Sequence, residues 1–132
     1  MMRINKFEEL NIWKLSLKIT KLIYDVSFNK YFIKDFGLKD QIRRAVVSIS
    51  SNIVEGFEKN NNNEFIRYLK IAKGSIGEVR NQLFIAKEIN YISLVEFTSI
   101  NNLLLDLANQ TGSFISYLEK TRKLSKLAKL VK

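Results

Sequence analysis

The side chains able to do chemistry in this 132-residue chain are 13 carboxylates, 22 lysines and arginines and a scatter of hydroxyls, with neither histidine nor cysteine among them. That inventory narrows the options at once. Without cysteine there is no thiolate nucleophile, disulfide or thiolate metal site, and its absence leaves the redox compartment unconstrained. Without histidine the Glu-x-x-His pairs of helical di-metal sites cannot be built. Glu55-x-x-Glu58 is the one comparable carboxylate spacing, and Glu78 is followed three residues on by Asn81 rather than an acid, so two facing pairs around magnesium are not assembled. No glycine-rich phosphate loop follows a strand, and no serine or cysteine triad exists. The expectation is a non-enzyme without metal or cofactor. A metal-dependent phosphohydrolase would need magnesium-dependent turnover that is abolished by changing Glu55 or Glu58.

The cations carry more information. Net charge is +9, and residues 120–132 hold Lys120, Arg122, Lys123, Lys126, Lys129 and Lys132 with no acid. Lys70, Lys73, Arg80 and Lys87 form a second basic stripe, the last three a heptad apart. As phosphate contacts these residues would bring counterion release and steep salt dependence. They read equally as a solvated helix face and as the solubilising charge of a lysine-rich protein. Candidate nucleic-acid contacts are therefore Arg43, Lys70, Lys73, Arg80, Lys87, Arg122, Lys123, Lys126 and Lys129.

Long helices must position them. Proline is absent and glycine occurs five times, so little punctuates the chain. A first helix is expected from about Glu9 to Ser27, with two apolar stripes, Leu10, Trp13, Leu17, Thr20, Tyr24 and Ile12, Leu15, Ile19, Leu22, Val26, and a solvated ridge of Lys14, Lys18 and Lys21. Residues 28–38 read as an ordered loop held down by aromatics. A second helix, from about Lys39 to Lys59, has Ile42, Val46, Ile49, Ile53 and Phe57 in one stripe and Ala45, Val47 and Val54 beyond it, more apolar surface than one contact requires. Along its side runs a polar line, Gln41, Arg44, Ser48, Asn52 and Glu55, expected to join Glu78 in a structural polar network across helices or subunits.

The asparagine run 60–63 is the expected hairpin, with Asn63 as cap of a third helix from Glu64 to about Asn90. There Phe65, Leu69, Ala72, Ile76, Val79, Leu83 and Ala86 make a seven-residue seam, while Gly74, Ser75 and Gly77 suggest close backbone approach. Ser93 caps a fourth helix carrying Phe97, Ile100, Leu104, Leu107, Thr111, Phe114 and Leu118. The expected architecture is all-α, an antiparallel up-down-up-down four-helix bundle over residues 1–120 with a basic amphipathic tail, 121–132. The start lacks a secretory apolar core and no run reaches the ~18 apolar residues of a span, so a cytoplasmic protein with no membrane association is expected.

Phe7–Leu10 with Ile12-Trp13-Lys14, Phe36-Gly37-Leu38, Gln41-Ile42-Arg43-Arg44-Ala45, Ser48-Ile49, Ser51-Asn52-Ile53, Glu55-Gly56, Glu64-Phe65, Ile71-Ala72 and Gly74-Ser75 leading to Glu78 resemble the four-helix-bundle family first known from intervening sequences within 23S ribosomal RNA genes. The match covers residues 7 to about 118. Ser50 stands where the family usually has proline, which predicts a straighter second helix; Val54 replaces alanine, and Asn29 stands where the loop often reads Phe-Pro-Lys. The resemblance implies a homopentameric ring, which would use the surplus apolar faces. It extends distantly to the accessory variability protein of diversity-generating retroelements, a basic pentamer working with reverse transcriptase and nucleic acid. The partners implied are further copies of the chain, RNA or DNA, and a nucleic-acid-processing protein such as a reverse transcriptase. A protein-interaction scaffold with incidental charge is the alternative.

Overall fold

A computed structural model describes residues 4–131, so Met1–Arg3 and the tail cation Lys132 lie outside the described residues. Four helices pack around one core, and no strand occurs among the described residues: α1 Asn11–Val26, α2 Phe36–Glu58, α3 Asn62–Glu88 and α4 Leu94–Val131, with 3-10 turns at Phe7–Glu9 and Phe32–Lys34. Each helix meets its sequence neighbour, and α1 closes the set against α4.

Local chemistry sets the boundaries. Asp35 caps α2, its Oδ1 accepting from Leu38 N at 3.1 Å, so α2 starts three residues earlier than its apolar pattern predicts and Phe36–Leu38 belong to its first turn. Asn61, not Asn63, caps α3 by accepting from Glu64 N at 3.0 Å. Ser93 and Glu96 form a reciprocal capping box at the start of α4, with bonds of 3.1 and 2.9 Å. Asn60 and Asn90 take positive φ, 52° and 65°, immediately beyond the ends of α2 and α3, a conformation asparagine tolerates better than most residues. After α3 the chain closes with Tyr91 N donating to Ala86 O at 2.8 Å and Asn90 N to Lys87 O at 3.0 Å, the two bonds of a Schellman stop.

All seven seam positions of α3 are buried, as are Ile42, Val46, Ile49 and Ile53 of α2 and six of the seven α4 positions, Phe114 being half-buried. On α1 the buried centre is Ile12, Ser16, Ile19 and Ile23, which takes Ile12 and Ile19 from the second expected stripe and adds Ser16 and Ile23, which belong to neither. Ser16 fits there because its Oγ donates to Trp13 O at 2.7 Å. Leu17 and Tyr24 of α1 and Val47 of α2 stay exposed, so the surplus apolar surface anticipated for these two helices is present on the single chain.

Two further expectations need correction. A Cβ on Gly74 or Gly77 would meet nothing within 4 Å, so neither serves close helix approach here. That role falls to Gly56, where a Cβ would lie 2.6 Å from Tyr68 Cβ, and to buried Ser75. The α1–α2 connection is also not held by its aromatics in general. Phe32 alone of them is buried, against Tyr91 at 5.4 Å, whereas Phe28, Tyr31 and Phe36 are 68%, 58% and 69% exposed. Its order comes from Asn29, which accepts from Tyr31 N and Phe32 N and donates to Tyr91 O at 2.7 Å, and from Asp35, which accepts from the Tyr91 hydroxyl at 3.0 Å.

At 38 residues α4 is about 57 Å long, against about 40 Å for α3. Among the residues whose burial is described, Leu118 is the last buried one of α4, and Arg122 Nη1 reaches Asn63 Oδ1 at 3.0 Å where the bundle ends. Residues 123–130 continue the helix as exposed residues, so the basic tail extends α4 rather than forming a separate element.

Candidate nucleic-acid interface

The heptad-spaced cations of α3 all lean on α4. Gly112 leaves room for Lys73, whose Nζ lies 3.4 Å from where a Gly112 Cβ would stand. Arg80 Nε donates to Asn101 Oδ1 at 3.0 Å. Lys87 Nζ sits 4.9 Å from the centre of the Phe97 ring and 3.3 Å from Glu88 Oε1. As α3 numbers rise the α4 numbers fall, so the three cations follow one seam for about 21 Å, fourteen residues of helix. Lys70, exposed, stands one step off this line.

The Lys73 end of the seam opens into a groove of about 680 Å3 that Lys120 also lines, with Asn109, Ser113 and Ser116 between them and no carboxylate among its walls. Lys120 leads into the exposed Lys123, Lys126 and Lys129. Cations therefore follow the α3–α4 seam from Lys87 to Lys73 and Lys120, beyond which Lys123, Lys126 and Lys129 wind around the exposed end of α4, with Lys129 on the face opposite Lys120. Of these only Lys87 has an ion pair among the described residues. Such an array is suited to an extended polyanion, with hydroxyl and amide groups beside the charges. Lys120 and Gly112 were absent from the sequence-derived candidates, since the helical register that brings them against Lys73 depends on how α3 and α4 pack.

Arg43 sits apart from this line. Its Nε donates to Ser27 Oγ at 2.9 Å, its guanidinium lies 4.6 Å from the Tyr24 ring, and Nη2 is buried without a partner among the described residues. The side chain ties the end of α1 to α2.

The proposed polar network divides. Asn52 Nδ2 donates to Ser48 O at 2.8 Å and to Ser48 Oγ at 3.0 Å, and Ser48 Oγ shares a 3.0 Å bond with Ser75 Oγ across the α2–α3 interface. Tyr68 donates to Glu55 Oε1 at 3.3 Å. Gln41, Arg44 and Glu78 line an open groove of about 440 Å3 beside Ser48 and Ser75, together with Gln82, whose buried Oε1 has no partner among the described residues. Arg44 and Glu78 form no ion pair among the described residues.

No group of three or more potential metal-ligating side chains occurs among the described residues, and no described helix is long and apolar enough to cross a membrane.

A family model described as 23S rRNA-intervening sequence protein matches residues 8–113. A solved structure from Bacteroides thetaiotaomicron VPI-5482, a protein of unknown function from the S23 ribosomal protein family, superposes with a TM-score of 0.72 at 28% identity. The alignment covers 79% of this chain and 97% of that one. No curated protein matches.

Proposed function

The chain belongs to the 23S rRNA-intervening sequence protein family, and from that premise we propose that it is a non-catalytic nucleic-acid-binding or accessory protein built as an antiparallel bundle and working as a homopentamer. The observation that carries the reading is the row Lys87, Arg80, Lys73 and Lys120 along the α3–α4 seam, leading into the acid-free end of α4. Exposed Leu17, Tyr24 and Val47 support self-association, because each covers the outer side of a helix whose inner side is already buried. Five copies at +9 would present +45 to a polyanion. A nucleic-acid-processing enzyme such as a reverse transcriptase is the class of protein partner such an assembly would serve.

Light scattering followed by titration with structured RNA and duplex DNA tests the reading. A pentamer whose affinity falls by several orders of magnitude between about 50 and 200 mM salt is expected for six or more phosphate contacts. A pentamer indifferent to either nucleic acid would replace the proposal with the protein-interaction scaffold. A monomer would leave the exposed apolar residues of α1 and α2 without a role.

A further inference from the structure

The α1–α2 connection displays aromatic rings that the fold does not use. Phe28, Tyr31 and Phe36 lie within nine residues, and the segment that bears them is fixed without their help by Asn29, Phe32 and Asp35. Each ring has a cation against it. Lys30 Nζ lies 5.0 Å from the Tyr31 centroid and Lys39 Nζ 4.6 Å from that of Phe36, while the Arg43 guanidinium serves both Tyr24, at 4.6 Å, and Phe28, at 5.8 Å. Residues 28–44 carry five basic side chains against two acids, and one of these, Asp35, is engaged in capping α2 and in accepting from Tyr91.

We propose that this aromatic–cation segment stacks the unpaired bases of a single-stranded nucleic acid. The inference rests on the nucleic-acid reading above and deepens it by specifying the strand. A single strand offers planar faces alternating with phosphates, which matches rings alternating with lysines; a duplex keeps its base faces inside the stack. An apolar protein helix would cover the rings but strip water from Lys30 and Lys39 without pairing them. The ordered connection matters energetically, since a segment whose backbone is already fixed loses little further freedom when a base lands on its rings. The segment also reaches over to the turn that follows α3, through Asn29 and Tyr91, so it shares the end of the bundle where the Lys87 cation begins the α3–α4 line. A strand following that line arrives at the aromatic segment with its unpaired end.

Fluorescence anisotropy with the full chain provides the test, using a labelled single-stranded RNA of about 16 nucleotides, the same sequence as a duplex, and inorganic polyphosphate. Replacing Phe28, Tyr31 and Phe36 together by alanine should weaken single-strand binding at least about 10-fold and leave duplex and polyphosphate binding within about 2-fold. Phe28→Tyr with Tyr31→Phe and Phe36→Tyr should restore the single strand. Equal loss for all three probes, or no loss for the single strand, would overturn the stacking role while leaving polyanion binding intact. Failure of the parent chain to bind any of the probes would overturn both readings. Two further measurements on the alanine variant bound the alternatives. A change in molar mass would reassign the rings to a contact between copies. Loss of binding to vesicles containing phosphatidylserine, with RNA binding unchanged, would reassign them to a lipid surface.

Discussion

Gly56→Ala and Gly77→Ala should move stability in opposite directions, although both replace glycine by the best helix former inside a helix. A new Cβ at Gly77 meets nothing within 4 Å, so only the backbone gain remains, about 0.5–1 kcal/mol. At Gly56 the same atom would lie 2.6 Å from Tyr68 Cβ and 3.1 Å from Phe65 Cδ1. Tyr68 Cβ is the root of its side chain and cannot swing aside, so α2 and α3 must separate along their whole interface, which also carries the Ser48–Ser75 bond. Overpacking of this kind costs about 1–3 kcal/mol, and the propensity gain offsets part of it, leaving a net loss of about 1–2 kcal/mol. At about 4 °C per kcal/mol for a chain of this size, Tm should fall by about 4–8 °C for Gly56→Ala and rise by about 2–4 °C for Gly77→Ala. Thermal and urea unfolding followed by far-UV circular dichroism read both values. A Gly56→Ala protein as stable as its parent would refute the close-contact argument, as would a Gly77→Ala protein destabilised to the same extent.

Ile53→Asp should abolish the cooperative unfolding transition, because Ile53 has no solvent exposure and an unpaired buried charge costs several kcal/mol; a folded, soluble variant would contradict its burial. Asn90→Ala should lower stability by about 1 kcal/mol through the cost of a positive φ, with Asn90→Gly neutral or slightly stabilising in urea unfolding. The Tyr91 hydroxyl, bonded chiefly to the Asp35 carboxylate, holds its proton above the ordinary phenol range. A raised folded value means that the bond contributes fully below the unfolded pKa, near 10, and that the contribution is lost as pH rises through the folded value. Comparing ultraviolet titrations of the parent and Tyr91→Phe should assign to Tyr91 a transition above the ordinary phenol range, and a Tyr91 transition at the ordinary value would contradict the bond.

What the sequence made legible depended on whether packing followed periodicity. The α3 seam is strict because one face serves both α2 and α4, and every apolar residue at seven-residue spacing is therefore inside. On α1, two apolar stripes leave the buried line ambiguous, and Ser16 escapes a hydrophobicity pattern because its hydroxyl is satisfied by the backbone of its own helix. Aromatic content in residues 28–38 suggested anchoring, yet three of the four rings there face solvent, since Asn29 and Asp35 supply the order through polar bonds that composition does not reveal. The heptad spacing of Lys73, Arg80 and Lys87 was readable, whereas their alignment with Gly112, Asn101 and Phe97 depends on the register of α3 against α4. Arg43 was legible as a cation but not as a tie between Ser27 and two aromatic rings.

Polyanion binding by the α3–α4 cations must show in its salt dependence. The most direct test compares the salt dependence of RNA affinity for the parent chain and for Lys73→Gln with Arg80→Gln and Lys87→Gln. With each cation neutralising one phosphate, the slope of log affinity against log salt should shrink by about 2–3 in the variant, at unchanged molar mass. An identical slope for both proteins would contradict the account.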